Sequence, residues 1–334
     1  MPGKYVGSVD FKPDDRYQHS EVQEAVGDNR TGSVYVFNDH IRLAVRVALA
    51  SGRPLLLRGP SGWGKSSLAA ASSKYLGWDY HEAVISSRTQ ARDLQWEVDL
   101  LLRLSDAQAD GVNSDWKAYV RPRILWWAFD PVGADRQQAL YQRQKAGTET
   151  GTKTGTADSN SDVSRRSVIL IDEIDKADPD VPNNLLVALG SLQFEVEETG
   201  QLIKAQAGQA PLVFITTNEE RALPAAFLRR CIELKLPALG ADDPDGSLRR
   251  ALLIDIATQH FAGIVESEYI QEIAEQLIPI KPGQGLSMPS PAEFNDTVRA
   301  ASQIFKNGAL DKKLLQQISK ITLYKHEDAS GEST

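Results

Sequence analysis

A single cysteine, Cys231, stands among the 334 residues, so no disulfide can form within the chain, and a reducing, cytoplasmic setting is expected. Histidine is scarce too. His19, His40, His81, His260 and His326 have no metal-ligand spacing, which argues against a zinc centre. No apolar run approaches the about 18 residues that would suggest a membrane span, and the N-terminus carries no charged-then-apolar targeting signal. Basic residues are in the minority, 37 against 45 acidic, and the net charge of −8 disfavours non-specific adhesion to nucleic acid or anionic lipid. A local basic pore is compatible with that balance. What remains is ordinary for a globular protein, 41% hydrophobic and 25% charged, and the length suits a large domain with a smaller one, or two comparable domains.

One stretch stands apart. Gly59-Pro60-Ser61-Gly62-Trp63-Gly64-Lys65-Ser66 fits G-x-x-x-x-G-K-[ST] directly after the apolar run Leu55-Leu56-Leu57. A buried strand ending at Arg58 would lead into a loop whose successive N–H groups point at a triphosphate. Lys65 would place a cation on the β- and γ-phosphates, and the Ser66 hydroxyl would coordinate Mg²⁺. Ser67, Leu68 and three alanines then open a helix expected to end near Gly77, with an N-terminal dipole that adds to the anion site. Residues 59–67 are thus the candidate nucleotide contacts. A chance match in an unrelated loop is the alternative, and strand before with helix after argues against it.

Residues 1–37 mix charges and glycine with few periodic apolar positions and are expected to be an irregular lead-in. From Asn38 the spacing of Ile41, Val45, Ala48 and Leu49 predicts a helix, with Asn38 or Asp39 as cap and Gly52 as stop. Ala83-Val84-Ile85 is β-like, and Leu94, Val98, Leu101 and Leu102 predict a helix over 94–104. The aromatic stretch with Trp116, Tyr119, Trp126, Trp127 and Phe129 reads first as core or subunit-interface packing and second as ligand stacking. The Thr/Gly-rich segment, about residues 145–165, is expected to be a mobile insert.

Ser167 to Ile171 is too apolar for a one-faced strand, belongs inside a parallel sheet, and ends in Asp172-Glu173. There Asp172 can hold the hydrated Mg²⁺ and Glu173 can orient and polarise the attacking water; alternatively, both acids merely cap the next turn. A helix over 183–192, a hairpin around Thr199-Gly200 and a buried strand over 212–215 follow. Asn218, after Thr216-Thr217, is either a γ-phosphate or water contact or a simple turn residue. A short helix ends in Arg229-Arg230. That pair can stabilise charge on a transferring phosphoryl group, even from a neighbouring subunit, or can be a solvated helix end. Proline, glycine and aspartates over 237–244 mark a boundary. Beyond it 248–261, 266–278, 291–305 and 310–323 read as helices, and 327–334 as a frayed tail.

In order and spacing, these signatures resemble the AAA+ ATPases, and most closely their MoxR-like branch. The carrying residues are the loop 59–66, the run from Val168 through Asp172-Glu173 to Lys176, Thr216-Thr217-Asn218, and 226–231. The resemblance implies an α/β P-loop core with a central parallel five-stranded sheet over 38–238 and a small α-helical lid over 239–326. It also implies a homo-oligomeric ring, usually of six subunits, with Mg²⁺ and ATP between neighbours. By position, Lys65 and Ser66 belong to the nucleotide loop, Asp172 and Glu173 to the metal and water, and Asn218 to the first sensor. Arg230, with Arg229 as the alternative, is the finger that acts on a neighbour's nucleotide. The hairpin at Thr199-Gly200 and the stretch 86–104 look like family insertions that commonly face the pore or a client. Ala292 stands where relatives often carry a γ-phosphate-sensing arginine, for which Arg299 is the candidate substitute. Relatives act as chaperones, frequently with a von Willebrand A-domain partner. ATP-driven remodelling of a protein client is therefore expected, against two alternatives, a nucleic-acid motor of the restriction type and an ATP-dependent assembly switch. A small-molecule kinase is the weaker option, because no acceptor pocket is evident.

Overall fold

The computed structural model describes residues 11–13, 16–18, 34–109, 114–146, 165–239, 243, 245–278, 288–305 and 310–323. Most of the expected lead-in, nearly all of the Thr/Gly-rich insert and the tail lie outside these residues. The described residues form two compact units. The first comprises Phe11 with those of Ala44–Leu57 and Ser72–Leu234, and the second those of Lys12–Leu43, Arg58–Ala71 and Lys235–Thr334.

Along the chain, β1 (Arg16–Gln18) pairs antiparallel with β2 (Val34–Val36), so the described part of the lead-in carries a two-stranded ladder. Helix α1 (Asp39–Ser51) starts where Asn38 Oδ1 accepts a bond from the Ile41 N–H at 2.9 Å, and it ends at Gly52. Strand β3 (Leu55–Arg58) and helix α2 (Lys65–Leu76) flank the glycine loop as expected, and Gly77 follows the helix. Strand β4 (Asp79–Val84) begins earlier than its apolar residues suggested.

The helix expected over 94–104 is not a single element. The chain makes β5 (Trp96–Val98), turns at Asp99, and only then forms α3 (Leu100–Gln108). Strand β5 pairs with β6 (Val120–Pro122), and Trp96 is left 3% exposed. The Asp99 carboxylate accepts from the Leu102 N–H at 2.9 Å, which starts the helix after the strand. The four-residue step from Leu94 to Val98 imitated a helical period across a strand.

Helices α4 (Ile124–Phe129) and α5 (Pro131–Lys145) follow, the second capped by Asp130, which accepts from the Gly133 N–H at 2.9 Å. Next come β7 (Ser167–Asp172), α6 (Asp180–Ser191), β8 (Gln193–Val196), β9 (Gln201–Lys204), β10 (Leu212–Thr217), α7 (Ala225–Leu228) and β11 (Ile232–Lys235). The parallel sheet runs β11-β3-β10-β7-β4. Every residue of β7 and β10 is buried, while β4 is half-exposed along most of its length. Continuous apolar strands therefore take the interior, where each fully buried aliphatic side chain contributes about 1.5–3 kcal/mol. On this sheet packs an aromatic group. Trp126 and Phe129 are buried in it, and Trp96 stacks on Phe194 of β8 with ring centroids 5.8 Å apart; Tyr119 is also buried, its hydroxyl donating to Asp106 Oδ2 at 2.9 Å. For these residues the packing reading holds.

In the second unit, α8 (Ser247–His260), α9 (Ser267–Leu277), α10 (Pro291–Phe305) and α11 (Lys312–Thr322) enclose an apolar core centred on Leu253, Ile270, Ile273, Phe294 and Leu315. Their spans lie within one or two residues of those read from apolar spacing. Among the described residues, no helix is long and apolar enough to cross a membrane.

Candidate nucleotide-binding site

The glycine loop belongs to the second unit. At Gly59, with φ 130°, an added Cβ would lie 2.3 Å from the Leu236 carbonyl oxygen, so nothing larger fits without moving backbone. At Gly62, φ 80°, it would lie 2.5 Å from Ser290 Oγ. Pro60 and Ser61 are exposed, Gly64, Ser66 and Ser67 are half-buried, and Trp63 packs its partly buried ring against the apolar core of the helical unit. Lys65 is only 7% exposed, and its ammonium donates to the Gly59 carbonyl at 2.6 Å and the Pro60 carbonyl at 2.8 Å. The loop thus curls around its own cation.

At the start of α10, Ser290 and Glu293 form a reciprocal cap. The Ser290 N–H and hydroxyl both donate to Glu293 Oε2 at 2.8 Å, the Glu293 N–H donates to Ser290 Oγ at 3.4 Å, and Pro291 opens the helix. This cap places the Ala292 N–H 3.3 Å from the Gly62 carbonyl, to which it donates. Ala292 thus offers the glycine loop a main-chain donor. Arg299 instead sets its guanidinium 5.9 Å from the Phe261 ring centroid, within the helical unit. Neighbouring His260 is driven below its usual pKa by burial and then by the Arg299 charge.

The acid pair belongs to the first unit. Asp172 ends β7 at 3% exposure, and the register that sets Ile215 opposite Ile171 brings Thr216 opposite Asp172 on the same face. The fully buried Thr216 hydroxyl donates to Asp172 Oδ1 at 2.5 Å and accepts from the Glu173 N–H at 2.9 Å. One hydroxyl therefore orients the carboxylate and the main chain of the next acid. Glu173 sits in the left-handed region, φ 61° and ψ 48°, a conformation that costs about 1–2 kcal/mol for a residue with a Cβ. It makes no side-chain cap bond to the following turn. Its carboxylate instead accepts from Lys176 Nζ at 2.8 Å, and this bond, with the Glu173 charge, raises the Lys176 pKa. The Asp175 carboxylate accepts from the Glu220 N–H at 3.0 Å, tying the turn after β7 to the one after β10. Asn218 lies half-buried just past β10, beside Glu219, which is also left-handed at φ 64°.

Arg229 and Arg230, at the end of α7, have exposed side chains. Their carbonyls are bound by the guanidinium of Arg53. Neither Arg53 nor the Thr216 bridge was found by sequence reading. Thr216 was visible only as part of a polar strand end, and Arg53 has no motif around it.

The donor types suit a magnesium-bound nucleotide. A loop whose glycines exclude side chains, closed around a buried ammonium, matches a phosphate chain, and a buried carboxylate held in one orientation matches a hydrated cation. Among the described residues no cluster of three or more His, Cys, Asp or Glu is placed to hold a metal by itself.

Thr216→Val keeps the side-chain shape but removes the hydroxyl that bonds both Asp172 and the Glu173 N–H, and the loss of such a buried bond costs about 1–3 kcal/mol. Urea unfolding should show a loss of about 2 kcal/mol, largely restored in Thr216→Ser. A valine variant as stable as the parent would show that the bridge contributes nothing.

A parallel sheet with a glycine loop after β3 and an acid pair ending β7 defines a P-loop nucleotide-binding fold. The family model described as AAA domain (dynein-related subfamily) matches residues 54–231, more than half of the sequence, and the chain belongs to that family of AAA+ proteins. Such domains bind nucleotide, usually with Mg²⁺, in general hydrolyse it, and typically assemble into rings. Solved structures similar to the chain include Thermotoga maritima RuvB. One point variant has 16% identity and a TM-score of 0.43 over 84% of this chain and 68% of that one. A second has 15% and 0.42 over 84% and 66%. The RuvB Holliday junction branch migration motor from the same organism has 14% and 0.40 over 84% and 66%. No curated protein sequence matches the chain.

Proposed function

We propose that the protein is a MoxR-like ATPase, a cytoplasmic and hexameric ring that binds Mg-ATP between neighbouring copies and hydrolyses it to remodel or activate a protein client. A von Willebrand A-domain protein is the class of partner proposed beside that client. Residues 38–238 act as the nucleotide-binding core and 239–326 as the lid. The observation carrying this reading is the Thr216 bridge, because preorganised acids at a strand end are what charge-stabilising phosphoryl transfer requires.

In this scheme residues 59–67 hold the phosphates through main-chain N–H groups, and Lys65 adds its charge. Mg²⁺, which Ser66 and Asp172 would hold, supplies charge neutralisation when bound. Glu173 orients the attacking water and accepts its proton, Asn218 senses the γ-phosphate or that water, and Arg230 of the next copy, with Arg229 the alternative, stabilises charge on the transferring group.

The subunit seam is tested by mixing. Rings of Arg230→Ala and Lys65→Ala subunits are each expected to be nearly inactive, yet mixed rings should hydrolyse ATP, since a sound finger then meets a sound loop. No gain in verified mixed rings would end the trans assignment. The client is tested by adding candidates to the wild-type ring. Stimulation by a protein captured on ATP-locked Glu173→Gln supports remodelling, whereas salt-sensitive stimulation by DNA would move the reading to a nucleic-acid motor. Assembly that tracks ATP occupancy, with slow turnover, would make it an assembly switch.

A further inference from the structure

Arg53 lies outside every signature in the sequence, two residues ahead of β3. Its Nε donates to the Arg230 carbonyl at 3.1 Å, and its Nη2 donates to the carbonyls of Arg229 and, at 2.9 Å, Cys231. One guanidinium thus binds three consecutive carbonyls. These stand at the end of a helix only four residues long, where carbonyls lack helical partners. The next residue is also fixed, since the Ile232 N–H donates to the Pro54 carbonyl at 2.8 Å. Burial pushes the Cys231 thiol up to about 12, so this junction carries no thiolate at neutral pH. Three cationic residues gather here, yet the Arg53 guanidinium faces carbonyl dipoles while the side chains of Arg229 and Arg230 are exposed. A planar fork of donors can hold three oxygens, which a lysine's point charge cannot reproduce.

We propose that Arg53 is the positioning residue for the trans-acting arginine, fixing the main chain from which Arg230 is presented to a neighbouring copy's nucleotide. This rests on the finger assignment made above. A misplacement of about 1 Å at such a group can cost about 10²-fold in rate. Its loss falls on the neighbour's hydrolysis, not on nucleotide binding by the subunit that bears it.

Arg53→Ala rings are therefore expected to lose about 10- to 100-fold in kcat, with KM and ATP affinity within about 2-fold of wild type. Arg53→Lys should fall between the two. Mixing Arg53→Ala with Lys65→Ala subunits should restore hydrolysis above either parent, because the Lys65→Ala copies still present a well-held finger to intact loops. If Arg53→Ala does not fold, Arg53→Lys enters the same mixing. Unchanged kcat would overturn the proposal, as would ATP affinity that falls in step with rate, marking Arg53 as a support of its own subunit's β3. An Arg230→Ala and Lys65→Ala mix serves as control. If that mix recovers and the Arg53 mix does not, the Arg53 proposal alone fails; if neither recovers, the finger reading fails and takes the proposal with it.

Discussion

Glu173→Gln is expected to leave ATP binding intact and to lower turnover by about 10²- to 10⁴-fold, the range supplied by a positioned general base. The substitution keeps length and shape, so the left-handed backbone at this position and the bond from its N–H to Thr216 are undisturbed. What is lost is the charge proposed to polarise water, together with the ion pair to Lys176, whose side chain is 42% exposed. Exposed pairs contribute little to folding, so the unfolding midpoint should stay close to that of the parent. Single-turnover hydrolysis beside equilibrium binding of ATP separates the two effects. Wild-type turnover in a folded Glu173→Gln protein would clear Glu173 of the water role and leave its carboxylate as only a partner for Lys176.

Lys65→Ala is expected to weaken ATP binding by about 10- to 150-fold, since a hydrogen bond to a charged group contributes about 1.5–3 kcal/mol. A second cost falls on the fold. The lysine ammonium bonds the carbonyls of Gly59 and Pro60, and removing it leaves them without that donor. Stability should fall by about 1–3 kcal/mol if water does not replace the ammonium. Affinity must therefore be measured on protein whose circular dichroism is native, by calorimetric titration at a temperature well below its midpoint. A folded Lys65→Ala variant with unchanged ATP affinity would contradict the phosphate-loop assignment outright.

Much of the fold was legible in the chain. The glycine loop, the apolar runs of β7 and β10, and the four late helices could be read because each is specified by neighbours in sequence: a motif, a strand-length apolar run, or a 3.6-residue period. Residues 94–104 misled for the converse reason. Leu94 and Val98 satisfied a helical spacing, but the pairing of Trp96–Val98 with Val120–Pro122, remote in sequence, decided the conformation.

By itself the sequence determined which local elements form and which chemical groups stand at their ends, since periodicity, caps and glycine content act over a few residues. Only the tertiary structure decided which ends meet. Strand order set Thr216 beside Asp172, and the start of β3 set Arg53 against the carbonyls of 229–231. Contacts across 44 and 177 residues arise from burying whole strands against one another, and no local pattern records that choice.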